Sequence, residues 1–359
     1  MDSQHTHLRW AHNLTLLLTA SVLALLLLAS CSAAQPKQEG ASTRPWENNG
    51  IPTVHLTIDA AEFEQINASE DHSYRASGAT VKVDVPEGYT GEYATEPLTS
   101  TEELEVDYFR GRGHGTWGAD KKPYKFKLKD GCDLLGMGKN KHWVLLANRY
   151  DESQLRNRII NYLAARMGSF YAMQSAPVDL VINGEYYGSY ALAEEVRIGS
   201  ARIDIDELTP EDDSEPEITG GYLLCMCPLD DEPLENALTT NRLVRFGAEE
   251  PQFTADEDGT AAQKAYIMDY LRRTEDAIFS PDLCDADGTP YTDYLDVRSA
   301  ADYWWIQEYS GNTDAFITSS TYLYKEREGK LVWGPLWDFD LGLDGSQSDT
   351  SGFMHRNMA

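Results

Sequence analysis

Near the C-terminal end of the sequence stands Trp337-Asp338-Phe339-Asp340, behind a stretch of Gly, Pro, Leu and Trp. On a strand, residues two apart project to one face roughly 7 Å apart. Asp338 and Asp340 could therefore both hold divalent metal ions, or divide the work of a ligand and a base. Two carboxylates beside such apolar residues are costly to leave unpaired, so the alternative to a site is a structural salt bridge. A second candidate is Gly311-Asn312-Thr313-Asp314, just past a predicted helix C-terminus. The partial negative charge of that end requires a cation or a hydrogen-bond donor to offset Asp314; an ordinary turn is the other reading. The third is Arg110-Gly111-Arg112-Gly113-His114-Gly115-Thr116-Trp117, which leads through Lys121-Lys122-Pro123 to Lys125 and Lys127. Its glycines let backbone N–H groups approach an anion, and its basic residues supply charge. A Gly-rich turn with surface basic residues would look the same.

Several elements must position these groups. Alternating apolar residues predict strands at Val54–Ile58, Thr80–Val85 and Tyr124–Leu128. In the last, Tyr124, Phe126 and Leu128 share one face, which leaves Lys125 and Lys127 on the other. A helix is expected after Asp151 or Ser153, carrying Leu155, Ile159, Leu163 and Met167 on one face and ending at Gly168. Asn183-Gly184 marks a hairpin between Val178–Ile182 and Tyr186–Val196, with Glu194 and Glu195 at its far end. Residues 206–217 and 228–259, acidic and without periodicity, read as loops around a strand at Gly221–Met226. Helices follow at Ala261–Phe279 and Ser299–Ser310, the second opened by a Ser299-x-x-Asp302 capping box. A hairpin, Thr321–Lys325 with Leu331–Trp337, turns at Glu328-Gly329. The two D-x-D-G-T segments, at Asp256 and Asp285, lack the closing Glu of a calcium loop and are expected to be tight turns.

The apolar run Leu14–Leu28 follows Arg9 and ends in Leu28-Ala29-Ser30-Cys31. It reads as a signal peptide closed by a lipobox, with Cys31 as the lipidated first residue of the mature chain; a plain cleaved signal is the alternative. Residues 31–50 then form a flexible stalk of roughly 25 Å root-mean-square reach. An extracytoplasmic, membrane-anchored lipoprotein is expected, touching the membrane through that anchor alone. With 59 acidic against 30 basic residues, the negative surface counts against nucleic acid as a partner and favours basic partners or cations. Cys132, Cys225, Cys227 and Cys284 lack further ligands at zinc spacing and are expected to be buried free thiols.

The order of these parts matches that of protein kinases: Gly-rich loop, strand lysine, helix, loop aspartate, hairpin, metal-binding aspartate. The strings RGRGHGTW, KKPYKFKL, LLGMGK, HWVLLANRYDESQLRN, VDLVINGEYYGSYALAEEV and GNTDAFITSSTYLYKEREGKLVWGPLWDFDLGL resemble the spore-coat-protein-H (CotH) family of atypical kinases over about Ile51–Leu343. The resemblance implies an α+β, two-lobed, atypical protein-kinase-like fold over residues 51–359. Family domains usually run well past the W-D-F-D motif, so the C-terminal part is open to being incomplete. The implied activity is transfer of phosphate from ATP, with Mg or Mn, to hydroxyls of a secreted, cell-surface or coat protein, basic or Ser-rich. On matching positions Asp314 would be the catalytic base or hydroxyl-positioning residue, and Asp338 the metal ligand, assisted by Asp340. Lys127, with Lys125 as substitute, would hold phosphates, Glu194 would orient the lysine, and Arg112 with Gly113 would cradle the nucleotide. His114-Gly115 stands where the family loop commonly has Asn-Ser, and Ser319 where kinases place a metal-binding Asn. Those departures favour an alternative, a non-catalytic surface or coat-assembly module. A glycan hydrolase using Asp338 and Asp340 is a third class, disfavoured by the basic loop.

Overall fold

A computed structural model describes residues 50–113, 115–226, 236–254, 257, 259–312, 315 and 319–343. Seven strands close into a barrel: β1 (Thr53–Thr57), β2 (Thr80–Asp84), β3 (Leu104–Gly111), β4 (Tyr124–Asp133), β5 (Lys139–Leu146), β6 (Ser175–Ile182) and β7 (Glu185–Glu194). Their order is β1-β2-β3-β4-β5-β7-β6. The ring is completed where β6 runs parallel to β1, every other pairing being antiparallel. Alternation decides what fills it: Val81, Val83, Phe109, Tyr124, Phe126, Leu128, Trp143, Leu145, Tyr190 and Leu192 are buried in one core. The α1 helix (Ala60–Ala68), N-capped by the Asp59 carboxylate, adds Phe63 and Ile66 to it. Asn183 and Gly184 both take positive φ, as a two-residue type I′ turn requires, and they join β6 to β7.

Helix α2 (Arg156–Met167) lies between the barrel strands β5 and β6 in sequence. Asp151 accepts from the Arg156 N–H at 2.8 Å and Ser153 from that of Leu155 at 3.2 Å, and the helix ends on Gly168 in the left-handed conformation. Its buried face is the expected one only in part, Leu163 and Met167 packing against the core around Ile160 and Tyr303. Ile160 and Ala164 are buried, whereas Leu155 and Ile159 are each 44 % exposed. Two overlapping apolar stripes run along this helix, and the sequence alone does not say which meets a partner.

The second sheet has the order β12-β11-β8-β10-β9, built from β8 (Tyr222–Met226), β9 (Ala237–Thr239), β10 (Arg245–Glu250), β11 (Thr321–Lys325) and β12 (Leu331–Trp333). Helices α3 (Ala261–Phe279), α4 (Tyr291–Tyr294) and α5 (Val297–Ser310) follow β10 and precede β11. Tyr222, Leu224, Phe246, Ile267, Leu271 and Leu323 form its core. Strands β9 and β10 fall within the expected loop 228–259. They escape the pattern because β10 reads RFGAEE, so its buried interior positions are mostly small residues rather than alternating large ones. Helix α5 is capped by Asp296, which accepts from the Ser299 N–H at 2.7 Å. The expected Ser299–Asp302 box is absent, since Asp302 turns instead to Arg298 at 3.4 Å. Around Asp285 the chain forms the expected tight turn, with Arg273 on the carboxylate. Asp256 and Cys227 lie outside the described residues. Cys132, Cys225 and Cys284 are free thiols; Cys225 is buried, whereas Cys132 and Cys284 are only partly buried, contrary to expectation, because they sit at sheet and turn edges rather than in a core. The fold is therefore α+β, with one core inside a barrel and another against an open sheet. No helix among the described residues is long and apolar enough to cross a membrane.

Candidate nucleotide and metal site

A cavity of about 890 Å³ is lined by residues from both sheets. From the barrel come Arg110, Arg112, Gly113, Lys125 and Glu195; from α2, Asn157 and Asn161; from the far side, Tyr322, Ser319, Trp337, Asp338 and Asp340.

Inward packing of Tyr124, Phe126 and Leu128 drives Lys125 to the outer face of β4. There its Nζ lies 2.6 Å from Oε1 of Glu195. The second oxygen of Glu195 faces Nδ1 of His142 at 3.2 Å. Burial by itself would raise the Glu195 carboxyl, but the close approach of His142 and the Lys125 charge outweigh it and hold the group well below the usual carboxylate range. Burial draws Lys125 down against the pull of Glu195. The result is a partly desolvated lysine with one ordered counter-ion, facing a cavity.

Lys127 and Glu194 do not join this site. The register of β3 against β4 slips between Val106 and Tyr108. The extra residue, Asp107, pairs with Lys127 at 3.1 Å, and Lys127 is not in the cavity lining. Glu194 sits opposite Trp143 with its side chain on the other face of β7 from Glu195. It is buried, 2.8 Å from Nη1 of Arg202, and takes the Tyr171 hydroxyl at 2.9 Å and the Gln174 N–H at 2.8 Å. The lysine partner in this cavity is thus Glu195, one residue on from the expected Glu194, and the lysine is Lys125.

The Gly-rich segment divides into structural and cavity-facing parts. A Cβ on Gly111 would meet the Trp117 ring at 2.3 Å, and that ring is anchored by its own N–H on the Ser69 carbonyl at 2.8 Å. Gly113, at φ +85°, lines the cavity, and a Cβ on Gly115 would make only an ordinary van der Waals contact, 3.8 Å from the Tyr150 hydroxyl. Gly111→Ala should therefore lower stability by roughly 1–3 kcal/mol through overpacking, and Gly115→Ala should leave the melting temperature nearly unchanged. Thermal melts of the two variants side by side check this. Arg112 stacks its guanidinium 5.5 Å from the Trp337 ring centroid, which ties the loop to the segment bearing the aspartates. His114 lies outside the described residues.

Asp338 and Asp340 are not on a strand, since β12 ends at Trp333 and Asp338 has φ +67°. What brings both to the cavity is Phe339 between them. It is buried against Ile160, Tyr303, Ile306 and Leu336, and its N–H donates to Oδ1 of Asn157 at 2.8 Å. Arg156 donates to the Asp340 carbonyl at 2.6 Å, and Asn312 to that of Asp338 at 3.1 Å. Ser320 donates to the Asp338 carboxylate at 3.2 Å. An Asp in the left-handed region, its carbonyl held by Asn312 and the next two residues held by Asn157 and Arg156 of α2, is a strained position of the kind found at binding sites. Asp314 lies outside the described residues. Among the described residues no group of three or more His, Cys, Asp or Glu is assembled to hold a metal, so two carboxylates with oxygen ligands from substrate would have to serve, an arrangement suited to Mg²⁺ or Mn²⁺.

A cavity lined by basic groups, a Lys–Glu pair and two aspartates suits a ligand that carries phosphates bridged by a cation. No curated protein matches the chain. The model of the CotH kinase protein family matches residues 109–358, a range that contains the Gly-rich loop, Lys125, Glu195, Asp338 and Asp340. On that match, which spans more than half of its length, the chain belongs to the CotH kinase protein family.

Proposed function

We propose that the protein is an ATP- and divalent-metal-dependent atypical protein kinase with a two-lobed, kinase-like arrangement, in which the barrel is the smaller lobe. The observation that carries this reading is that one cavity is lined both by the Lys125–Glu195 pair and by Asp338 with Asp340. Nucleotide phosphates fit between them: Lys125 and Arg112 meet the oxygens, Gly113 allows close backbone approach, and the aspartates hold the cation. Asp314 is proposed as the group that orients the attacking hydroxyl. At about 890 Å³ the cavity lies in the range of cofactor sites. The acidic chain suits a basic or Ser-rich protein as phosphate acceptor.

Calorimetric titration of the full chain with ATP, with and without Mg²⁺ or Mn²⁺, together with phosphate incorporation into a basic protein, tests the reading. Saturable, metal-dependent heat supports it. A folded sample showing neither binding nor incorporation would leave a non-catalytic surface module as the better account.

Location outside the cytoplasmic membrane is proposed from the lipobox, which lies outside the described residues. Cys31→Ser should give an unlipidated precursor or a released protein, so its partitioning into the detergent phase of a Triton X-114 extract should be lost. Partitioning equal to that of the unaltered chain would place the anchor elsewhere.

A further inference from the structure

A second cavity, of about 590 Å³, lies beside the Gly136–Gly138 turn and is lined by Tyr171, Gln174, residues 200–205, Tyr324 and Glu326. Arg202 is in its wall and is almost wholly buried. One nitrogen of its guanidinium does all the bonding: Nη1 donates to the carbonyls of Met137 at 3.0 Å and Ala201 at 2.6 Å and to Glu194 at 2.8 Å. Trp143 covers the plane, its ring centroid 4.8 Å from Cζ. The other two nitrogens, Nε and Nη2, are buried without a hydrogen-bond partner among the described residues. These two N–H groups point the same way and form the side-on edge of the guanidinium, whose spacing matches the two oxygens of a carboxylate. Buried donors left unmatched on a charged group are rare, because each forfeits its hydration. Gln174 Oε1, in the same wall, is also buried without a partner.

We propose that this second cavity binds a small carboxylate on the Nε–Nη2 edge of Arg202. The rim gives the rest of the ligand's character. Asp204 and Glu326, both exposed, are in the lining, so a neutral or basic tail is favoured there and a dianion such as phosphate is disfavoured. Because the edge touches no bulk water, entry requires a small shift of the turn in which the Arg202 N–H donates to the Gly199 carbonyl at 2.8 Å. A proton accompanies binding. Burial pushes the Glu194 carboxyl up to about 7 even with Arg202 beside it; Tyr171 and, further off, Tyr93 are the other titratable groups facing it. A second negative charge on Arg202 raises Glu194 further. Affinity should therefore hold steady below about pH 7 and fall above it, by at most about tenfold per pH unit for one proton.

The test follows the Arg202 Nε–H resonance of the full chain, labelled with ¹⁵N at arginine and assigned by its loss in Arg202→Lys. Acetate should shift it saturably at concentrations on the order of 1 mM, the level expected for so few atoms. The carboxylate 6-aminohexanoate should bind several-fold more tightly, and hexylamine should leave the resonance where it is. Ser200→Trp, which fills the cavity without touching the Arg202–Glu194 pair, should abolish the response. A resonance unmoved by acetate, or moved equally in Ser200→Trp, overturns the proposal and leaves trapped water as the partner of that edge. Should Arg202→Lys fail to fold, the Ser200→Trp comparison decides alone. None of these readouts depends on nucleotide binding.

Discussion

Asp338→Ala is expected to lose metal-dependent nucleotide binding, with affinity for ATP in Mg²⁺ falling on the order of 10²- to 10³-fold, the equivalent of several kcal/mol of cation-bridged charge. Among the described residues the carboxylate accepts from Ser320, and its backbone is held through Asn312 and the burial of Phe339 rather than through the side chain itself. Truncation should therefore spare the fold, and the melting temperature should move little. Asp314→Asn should behave differently. If this residue orients the attacking hydroxyl, nucleotide affinity stays within a few-fold of the unaltered chain and phosphate incorporation falls by about 10²- to 10⁴-fold, the usual contribution of a positioned base. Titration calorimetry and incorporation measured on both variants separate the roles. Two variants with identical defects would mean that Asp338 and Asp314 act as one unit and that the division of labour proposed is wrong. Loss of glycan cleavage without any nucleotide dependence would instead point to a hydrolase.

Local pattern carried the elements, and pleat parity would have carried more of the site than it was used for. The run Tyr124-Lys-Phe-Lys-Leu128 puts both lysines outside the barrel, and the structure agrees. The same parity applied to β7 places Tyr190, Leu192 and Glu194 inside and Ala191, Ala193 and Glu195 outside, so Glu195 was the acid on the face of Lys125. Choosing between Lys125 and Lys127 was beyond sequence, because it depends on the extra residue in β3 that delivers Asp107 to Lys127. His142 was equally hidden: its role rests on a cross-strand register, not on spacing. The W-D-F-D segment reaches the cavity by a geometry other than the expected strand. Its two aspartates converge because a buried aromatic separates them and Asp338 adopts positive φ, not because a strand alternates. Of the expected stripe on α2, Leu163 and Met167 pack against a core while Leu155 and Ile159 stay exposed, a matter of tertiary packing that periodicity cannot report.

Lys125→Met should weaken nucleotide binding by roughly 10- to 100-fold, the loss expected for a charge-assisted hydrogen bond of about 1.5–3 kcal/mol, while Lys127→Met should leave affinity within about threefold. The contrast follows from placement: Lys125 lines the cavity 2.6 Å from Glu195, and Lys127 is spent on Asp107 outside it. Glu195→Gln gives a second signature through pH. Folding holds the Glu195 carboxyl below its ordinary value of 4.5, so between that value and lower pH the unfolded chain binds more protons than the native one. Its contribution to stability is then fully present above about pH 4.5 and is lost as pH falls through the lower, folded value. In Glu195→Gln that part of the acid sensitivity should disappear, and the denaturation midpoint in guanidinium chloride should decline less steeply between pH 5 and pH 3 than it does in the unaltered chain. His142→Ala should produce a smaller change in the same direction, since it removes the partner of one carboxylate oxygen only. Equal nucleotide affinities for Lys125→Met and Lys127→Met, with parallel pH profiles for Glu195→Gln and the unaltered chain, would show that the Lys125–Glu195 pair is neither a phosphate contact nor a source of acid sensitivity.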